Sequence, residues 1–522
     1  MKAPCDEAAI QVGTAENPCP GRAEVWILAA TILASSMAFI DSTVVNVAIP
    51  TLQNTFHANI VAVQWVVEAY ALFLSALILT GGALGDLYGR RLVFLAGVII
   101  FAAASAWCGF SSSIRELVIA RCVQGAGAAL LVPGSLAIIS ASFDERSRGQ
   151  AIGTWSGFTA ITTALGPVVG GWLIQHASWR WAFFLNLPLA AAVIVISVWH
   201  IPESRSRSVK HLDWAGTLLA IVGLAGVVNG FVESPNLGWG NPLVFGSIVV
   251  GFACLVFFVW AEARERAPMV PLTLFRSPSF SGANLLTLFL YAAIGIFFFL
   301  YPLELIQVRG YSTTAAAAAA LPSIVLMSSL SRWSGGLVDR YGARTPLIVG
   351  PMLAAAGFAL FGIIPVGGGY WTTLFPAFLV LGLGMAVTVA PLTTVVMGSV
   401  DQDHAGTASG INNAVARVAG VLAIAVFGVV LVSSFSSRLN HKLARLPLSA
   451  GVLRQIDANE TRLAALQVPA GLDPGTAATI RSAISQAFVT GFRLVMFLCA
   501  ALALAGSMVA WHLIPKQVDQ EG

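Results

Sequence analysis

Long apolar runs separated by short charged or turn-rich breaks pattern nearly the whole chain, and they predict fourteen helices. Approximate bounds are 25–50, 62–82, 92–111, 116–141, 149–173, 181–200, 213–233, 243–261, 280–303, 313–332, 345–364, 371–399, 405–433 and 489–514. These runs match the roughly 20 apolar residues that a helix needs to cross a hydrocarbon core of about 30 Å. Most connections are short. The exception, 434–488, holds Arg438, Lys442, Arg445, Asp457, Glu460, Arg462, Asp473 and Arg481. Its spacing of Leu446, Val452, Ile456, Leu463 and Leu466 suits a helical hairpin lying on the membrane surface, and its polarity suits a plain flexible loop equally well.

Composition narrows the class. Hydrophobic residues make up 57% of the 522 positions and charged residues 10%, with a mean hydropathy of +0.82. Soluble domains carry about 25% charge, so a water-soluble enzyme is excluded. The net charge of +4 is small and dispersed, which argues against a nucleic-acid partner. Cys5, Cys19, Cys108, Cys122, Cys254 and Cys499 form no C-x-x-C pair, and the seven histidines are scattered, so neither a disulfide framework nor a metal site is expected. The first 24 residues hold Asp6, Glu7, Glu16 and Glu24 and no apolar core. They do not read as a signal peptide, and the first apolar run is expected to stay as a helix.

The basic residues set an orientation. With the N-terminus in the cytoplasm, internal loops share Arg90, Arg91, Arg146, Arg148, Arg205, Arg207, Lys210, Arg264, Arg266, Arg276, Arg332, Arg340 and Arg344, while the short external loops hold Arg115, Arg180 and Arg309. The long external loop weakens this bias without reversing it. An even number of spans then returns the C-terminus to the cytoplasm.

An internal repeat divides the chain. Gly82-Ala83-Leu84-Gly85-Asp86-Leu87-Tyr88-Gly89-Arg90-Arg91 and Gly335-Gly336-Leu337-Val338-Asp339-Arg340-Tyr341-Gly342-Ala343-Arg344 both fit G-x-L-x-D-x-Y-G-x-R. They lie 253 residues apart, and setting aside the helix pair within 213–261 leaves room for six helices with short loops. The predicted fold is therefore an all-α polytopic membrane protein of two six-helix bundles plus two inserted helices. Its parts are a cytoplasmic tail at 1–24, a first bundle at 25–200, a linker with the extra pair at 201–279, a second bundle at 280–514 and a cytoplasmic tail at 515–522. Parallel halves of this kind hold their substrate near the bilayer midplane. In the repeated loops, glycines allow a tight turn and close helix approach, the aspartate caps a neighbouring helix and the arginines pair with acids or lipid phosphate. Gly82, Asp86, Gly89, Arg90, Arg91, Asp339 and Arg340 are the candidate gating residues; plain topological signalling by positive loops is the alternative.

Charges inside the spans carry the candidate chemistry. Each costs at least ~3 kcal/mol in lipid, so a polar pathway is the default reading. Asp41 lies roughly 13 Å below the outer end of its run, Glu68 about 9 Å into the second and Arg121 about 8–9 Å into the fourth, which places all three in one layer. A carboxylate raised by burial and lowered by an approaching arginine can take a proton on one side and lose it on the other. The competing reading is a static ion pair that fixes helix packing. Arg417, about 18 Å into its run near Asn412 and Asn413, either lines the cavity or bonds neighbouring helices. The fifth run carries Gly157, Gly166, Pro167, Gly170 and Gly171, where Gly166-Pro167 predicts a bend and the glycines a close partner.

Taken together these segments resemble the fourteen-helix drug:proton antiporter family of the major facilitator superfamily, over nearly the whole chain apart from the N-terminal tail and the long external loop. The match runs through Asp41-Ser42-Thr43-Val44-Val45-Asn46-Val47-Ala48-Ile49-Pro50, the loop from Gly82 to Arg91, Arg121-Cys122-Val123-Gln124-Gly125-Ala126-Gly127, Gly157 with Gly166-Pro167-Val168-Val169-Gly170-Gly171, and Trp179-Arg180-Trp181-Ala182-Phe183-Phe184-Leu185-Asn186-Leu187-Pro188. The resemblance implies a multidrug efflux transporter of the bacterial cytoplasmic (inner) membrane that works by alternating access. Inward proton flow would be its energy source, with no bound cofactor. It implies that Asp41 takes part in coupling, Arg121 assists proton movement, the loop at Asp86 stabilises one gate and the fifth helix seals against leak. Glu68 stands where the family often has a small polar residue, and Ala343 replaces one basic residue of the second loop. Cavity candidates are Asn46, Trp65, Tyr70, Gln124, Asn413 and Arg417.

The implied partners are the lipid bilayer, protons and an amphipathic small molecule, cationic compounds included; a periplasmic adaptor is left open. The same fold also serves transporters dedicated to one metabolite, and that reading stands beside the first. An integral-membrane transferase would need a cluster of acids or histidines at one interface, and the sequence has none. It also lacks G-x-x-x-x-G-K-[ST], which removes the motif for direct ATP drive.

Overall fold

In the computed structural model, which describes residues 21–143, 145–205, 213–265, 268, 270–365, 367–400, 405–446, 448–469 and 472–515, those residues form helices joined by short connections and no strand. The helices are α1 (Gly21–Phe56), α2 (Ile60–Tyr88), α3 (Arg90–Phe110), α4 (Ile114–Ser142), α5 (Glu145–His176), the single turn α6 (Trp181–Phe184), α7 (Asn186–His200), α8 (Trp214–Leu237), α9 (Pro242–Glu262), α10 (Pro278–Leu303), α11 (Thr313–Ala318), α12 (Leu321–Gly335), α13 (Leu337–Tyr341), α14 (Arg344–Ile363), α15 (Tyr370–Gly398), α16 (Ala405–Leu443), α17 (Ala450–Asp457) and α18 (Pro474–Leu513). Thirteen helical stretches among the described residues are long and apolar enough to cross a membrane. The tenth expected span is broken instead: α11 ends at Ala318, and α12 restarts at Leu321 with Pro322 in its first turn. Proline is tolerated there because the first amides of a helix have no partner within it.

Lipid takes the place of water around these helices. α9 turns Phe245, Val249, Val256, Phe257 and Trp260 outward, a surface stable only against hydrocarbon. Trp26, Trp172, Trp199, Trp371 and Trp511 are likewise exposed, in keeping with the aromatic girdles of membrane interfaces.

The long loop departs most from expectation. α16 and α18 have 39 and 40 residues, about 60 Å each and twice the hydrocarbon thickness, so much of 434–488 is helix projecting beyond the bilayer. Asp473 caps α18 by accepting from the Thr476 amide at 2.8 Å, and bonds from Thr476 hold its carboxyl below the usual carboxylate range. Between the two helices Ile456 and Leu463 are buried within the protein rather than spread on a membrane surface. Their polar neighbours hid a folded element.

Two compact units result. The first comprises Met1–Val45, Val66–Ala225 and Phe252–Pro271, and the second Asn46–Trp65, Gly226–Gly251 and Leu272–Gly522. The expected tails fall mostly outside the described residues, 1–20 and 516–522 entirely so.

Candidate functional site

The chemistry concentrates in the first unit, where α1, α3, α4 and α7 bring side chains to one buried point. Asp41 and Arg121 are each 1% exposed and form an ion pair. Arg121 also donates to the Gln124 carbonyl oxygen Oε1 at 2.7 Å and, through Nε, to the Val66 backbone carbonyl at 3.0 Å. Its guanidinium lies 4.2 Å from the Tyr70 ring centroid, and the Tyr70 hydroxyl donates to the Ala38 carbonyl at 3.0 Å. The arginine thus ties α1, α2 and α4 together.

The other side of the carboxylate is caged by amides. Gln124 Nε2 donates to Asp41 Oδ1 at 2.9 Å and Asn186 Nδ2 donates to the same oxygen at 3.3 Å. Both amides also donate to Ser105 Oγ, at 3.2 and 2.9 Å, and that hydroxyl donates to the Phe183 carbonyl at 2.9 Å. An ionised carboxylate accepts only, and three donor side chains meet it. Moving two charges into low dielectric costs several kcal/mol per ion, and an apolar replacement is often no less stable. Stability alone therefore gives little reason for this pair.

The expected three-residue layer is only partly assembled. Glu68 is fully buried, and among the described residues neither of its carboxyl oxygens meets a hydrogen-bond partner. It stands two residues beyond the carbonyl that Arg121 holds.

The fifth-run glycines press on the same stretch of α1. A Cβ added at Gly166 would sit 2.8 Å from Thr43 Oγ1 and 3.2 Å from Ile40 Cα, and one at Gly170 would run into Val44. Pro167 and Gly171 are buried beside them, whereas Gly157 is exposed with nothing within 4 Å of an added Cβ. The motif is thus two positions of contact with the Asp41 segment plus one open position.

At the repeated loop, Asp86 and Arg90 pair at 2.8 Å across one helical turn. Gly89 has φ 124°, and behind it Glu203 accepts from the Arg91 and Leu92 amides, both at 3.1 Å, capping α3. Arg91 donates to the Val198 carbonyl at 3.3 Å. A Cβ at Gly82 would meet Pro133 only at ordinary contact distance, 3.7 Å. In the second loop Gly342 likewise has positive φ, 74°, and Arg340 is exposed beside the Tyr341 ring at 5.3 Å. The side chain of Asp339 lies outside the described residues.

Cavity candidates scatter. Gln124 and Tyr70 belong to the Asp41 site. Trp65 donates to Glu233 at 2.8 Å in the second unit, Asn46 is half-buried with Oδ1 unpartnered among the described residues, and Asn413 is exposed and bonded back to the Ser409 carbonyl. Arg417 is half-buried on α16. Sequence reading missed Ser105, Asn186 and Glu203 as working residues: Asn186 stood inside the motif from Trp179 to Pro188 without being singled out, Ser105 is mildly polar and isolated, and Glu203 lies in a loop far along the chain from the turn that it caps.

With this geometry in hand, the profile described as Major Facilitator Superfamily matches residues 31–424. The chain is 33% identical over 515 residues to the tetracenomycin C resistance and export protein of Streptomyces glaucescens, covering 97% of this chain and 95% of that protein. It is 32% identical over 516 residues to the multidrug resistance protein Stp of Mycobacterium tuberculosis (strain CDC 1551 / Oshkosh), covering 96% and 94%. Among solved structures it matches a bacterial homologue of the human lysosomal transporter Spinster, in an inward-facing and unoccupied conformation, with TM-score 0.64 and 17% identity over 94% of this chain and 98% of the other.

Proposed function

The chain belongs to the Major Facilitator Superfamily, and from that premise we propose that it exports amphipathic drugs, cationic compounds included, across a bacterial cytoplasmic membrane in exchange for protons. Relatives named for drug resistance and export, similar over nearly their whole length, support an exported drug as substrate. The observation that carries proton coupling is the buried Asp41–Arg121 pair inside its cage of amides. A pair of this kind costs desolvation without adding stability, so exchange of a proton at Asp41 as the contact with Arg121 is made and broken accounts for it better than packing does.

The same helix segment bears Asp41 and the faces that Gly166 and Gly170 pack against. A proton arriving at Asp41 and a movement of α1 against α5 are therefore mechanically linked, as alternating access requires. The loop around Asp86 and Gly89 acts as a gate on the cytoplasmic side, with both termini facing the cytoplasm. Glu68 serves as a second acid on the pathway. The proton gradient supplies the energy, with no bound cofactor.

Inside-out vesicles carrying equal amounts of wild type or Asp41→Asn test this reading. Lipophilic cations and neutral drugs added to wild type collapse the proton gradient, and Asp41→Asn abolishes that response while remaining folded and inserted. Unchanged collapse in the variant removes Asp41 from coupling. Silence of wild type across a chemically broad panel favours a carrier dedicated to one metabolite.

A further inference from the structure

Protonation turns the Asp41 oxygen that gains the proton from an acceptor into a donor, and the cage must then offer it an acceptor. Most acceptors around Asp41 are already occupied. Gln124 Oε1 takes bonds from Arg121 at 2.7 Å and from the Cys108 thiol at 3.6 Å, which also fixes which way that amide points. Ser105 Oγ receives both amides and spends its own hydrogen on the Phe183 carbonyl. One acceptor next to the carboxylate is vacant: Asn186 Oδ1, fully buried and without a hydrogen-bond partner among the described residues.

Asn186 also sits where turning over would help. Its Nδ2 faces Asp41 Oδ1 at 3.3 Å and Ser105 Oγ at 2.9 Å. A half-turn of the amide about its terminal torsion, which is broad and roughly two-fold, brings Oδ1 to that place. Ser105 then still holds the bond from Gln124. Oδ1 then also faces Ser105 Oγ, so the Ser105 hydroxyl swings its hydrogen from the Phe183 carbonyl onto that oxygen, and the turn exchanges an orphaned Oδ1 for an orphaned Nδ2. Without it, protonated Asp41 would set its O–H against an N–H inside a buried site, leaving a buried donor unmet.

We infer that Asn186 is the positioning residue for proton uptake at Asp41: its amide donates to the ionised carboxylate and turns over to accept from the protonated one. The inference rests on Asp41 being the coupling acid. Among the described residues, the ionisable groups around Asp41 are Arg121 on α4, Cys108 on α3 and Tyr70 on α2, while Glu68 stands two residues beyond the Val66 carbonyl that Arg121 holds. Tyr70 is committed to the Ala38 carbonyl, Arg121 offers donors only, and α5 meets this part of α1 with glycines. None of these supplies the acceptor that Asn186 supplies.

Infrared difference spectra between acidic and alkaline buffer test the inference on the full-length protein in lipid nanodiscs, with asparagine side chains carrying carbon-13. Wild type is expected to give a carboxylic-acid band on acidification that Asp41→Asn lacks. An isotope-shifted asparagine carbonyl band should accompany it, absent from both Asp41→Asn and Asn186→Leu. In vesicles Asn186→Leu removes one hydrogen bond from the ionised and one from the protonated carboxyl, so drug-dependent flux should fall while the proton concentration for half-maximal flux changes by less than about threefold. If the Asp41 band is missing from wild type, the coupling role of Asp41 fails, and this inference with it. If that band is present but no asparagine band depends on Asp41, the inference alone is overturned. The wild-type and Asp41→Asn spectra decide this even where Asn186→Leu does not fold.

Discussion

Glu68 allows a sharp separation of stability from function. Its carboxyl is fully buried on α2 with both oxygens unpartnered among the described residues, so the fold bears its desolvation without return. Burying a polar group without a hydrogen bond costs about 1–3 kcal/mol by mutational measures. Glu68→Met keeps the length and most of the volume while removing both oxygens, and a swap of similar volume costs under about 1.5 kcal/mol. The expected net effect lies between a loss of about 0.5 and a gain of about 3 kcal/mol, centred on a gain of roughly 1 kcal/mol and read as a higher denaturant midpoint for purified protein in detergent. Glu68→Gln retains buried polar atoms and adds N–H donors, so it should show no such gain. In vesicles, Glu68→Met should carry fewer protons per drug or lose its preference for cationic compounds, whichever role this second acid serves. A loss of about 3–5 kcal/mol for Glu68→Met, the range for breaking a buried ion pair, would refute the reasoning, because it would mean that Glu68 holds a charged partner. Unchanged stoichiometry and preference would remove it from transport.

Two further expectations concern the gate and the fifth helix. Asp86→Asn breaks a part-exposed pair at 2.8 Å whose stability value is only about 0–1 kcal/mol; transport should slow with the range of recognised compounds unchanged, and an altered range would contradict a gating role. Gly166→Leu forces a side chain into Thr43 and Ile40, while Gly157→Ala meets nothing within 4 Å. The first should stop drug-dependent proton flux and the second leave it near wild type; equal losses would separate the motif from the α1 contact.

Much of this was legible in the chain itself, for physical reasons. Span length follows from bilayer thickness, so α3, α8, α9, α10, α14 and α15 lie close to the bounds that their apolar runs suggest. Asp41 and Arg121 stood out because a charge inside an apolar run is costly, and they do pair. The repeat located two turns with positive-φ glycines, Gly89 and Gly342. Ser105 carries no such mark and Asn186 only its place in the motif from Trp179 to Pro188, since a lone amide or hydroxyl is cheap in a helix and only the fold discloses what it faces. Helical extensions of α16 and α18 were masked because outside the bilayer a helix is free to be polar. Glu68 was assigned to the layer of Asp41 and Arg121 by depth, but depth alone does not say which neighbour a side chain meets.

Gly89 gives the clearest test that distant parts of the first unit are joined at the gate. Its φ of 124° is a conformation that side-chain-bearing residues adopt at a cost of order 1–3 kcal/mol. An added Cβ would also stand 2.7 Å from the Glu203 carboxylate, the group that accepts from the Arg91 and Leu92 amides. Gly89→Ala therefore carries two penalties: backbone strain, and displacement of the acid that caps α3, worth typically about 1 kcal/mol by analogy with helix caps. Glu203→Ala loses the cap alone. In the double variant the cap can be lost only once, so the two costs should fall short of their sum by about 1 kcal/mol. Denaturant unfolding of the four proteins in detergent measures this coupling. Costs that add within about 0.5 kcal/mol would show that Glu203 and Gly89 act independently, and the gate would then be held by the Asp86–Arg90 turn without the segment that follows α7.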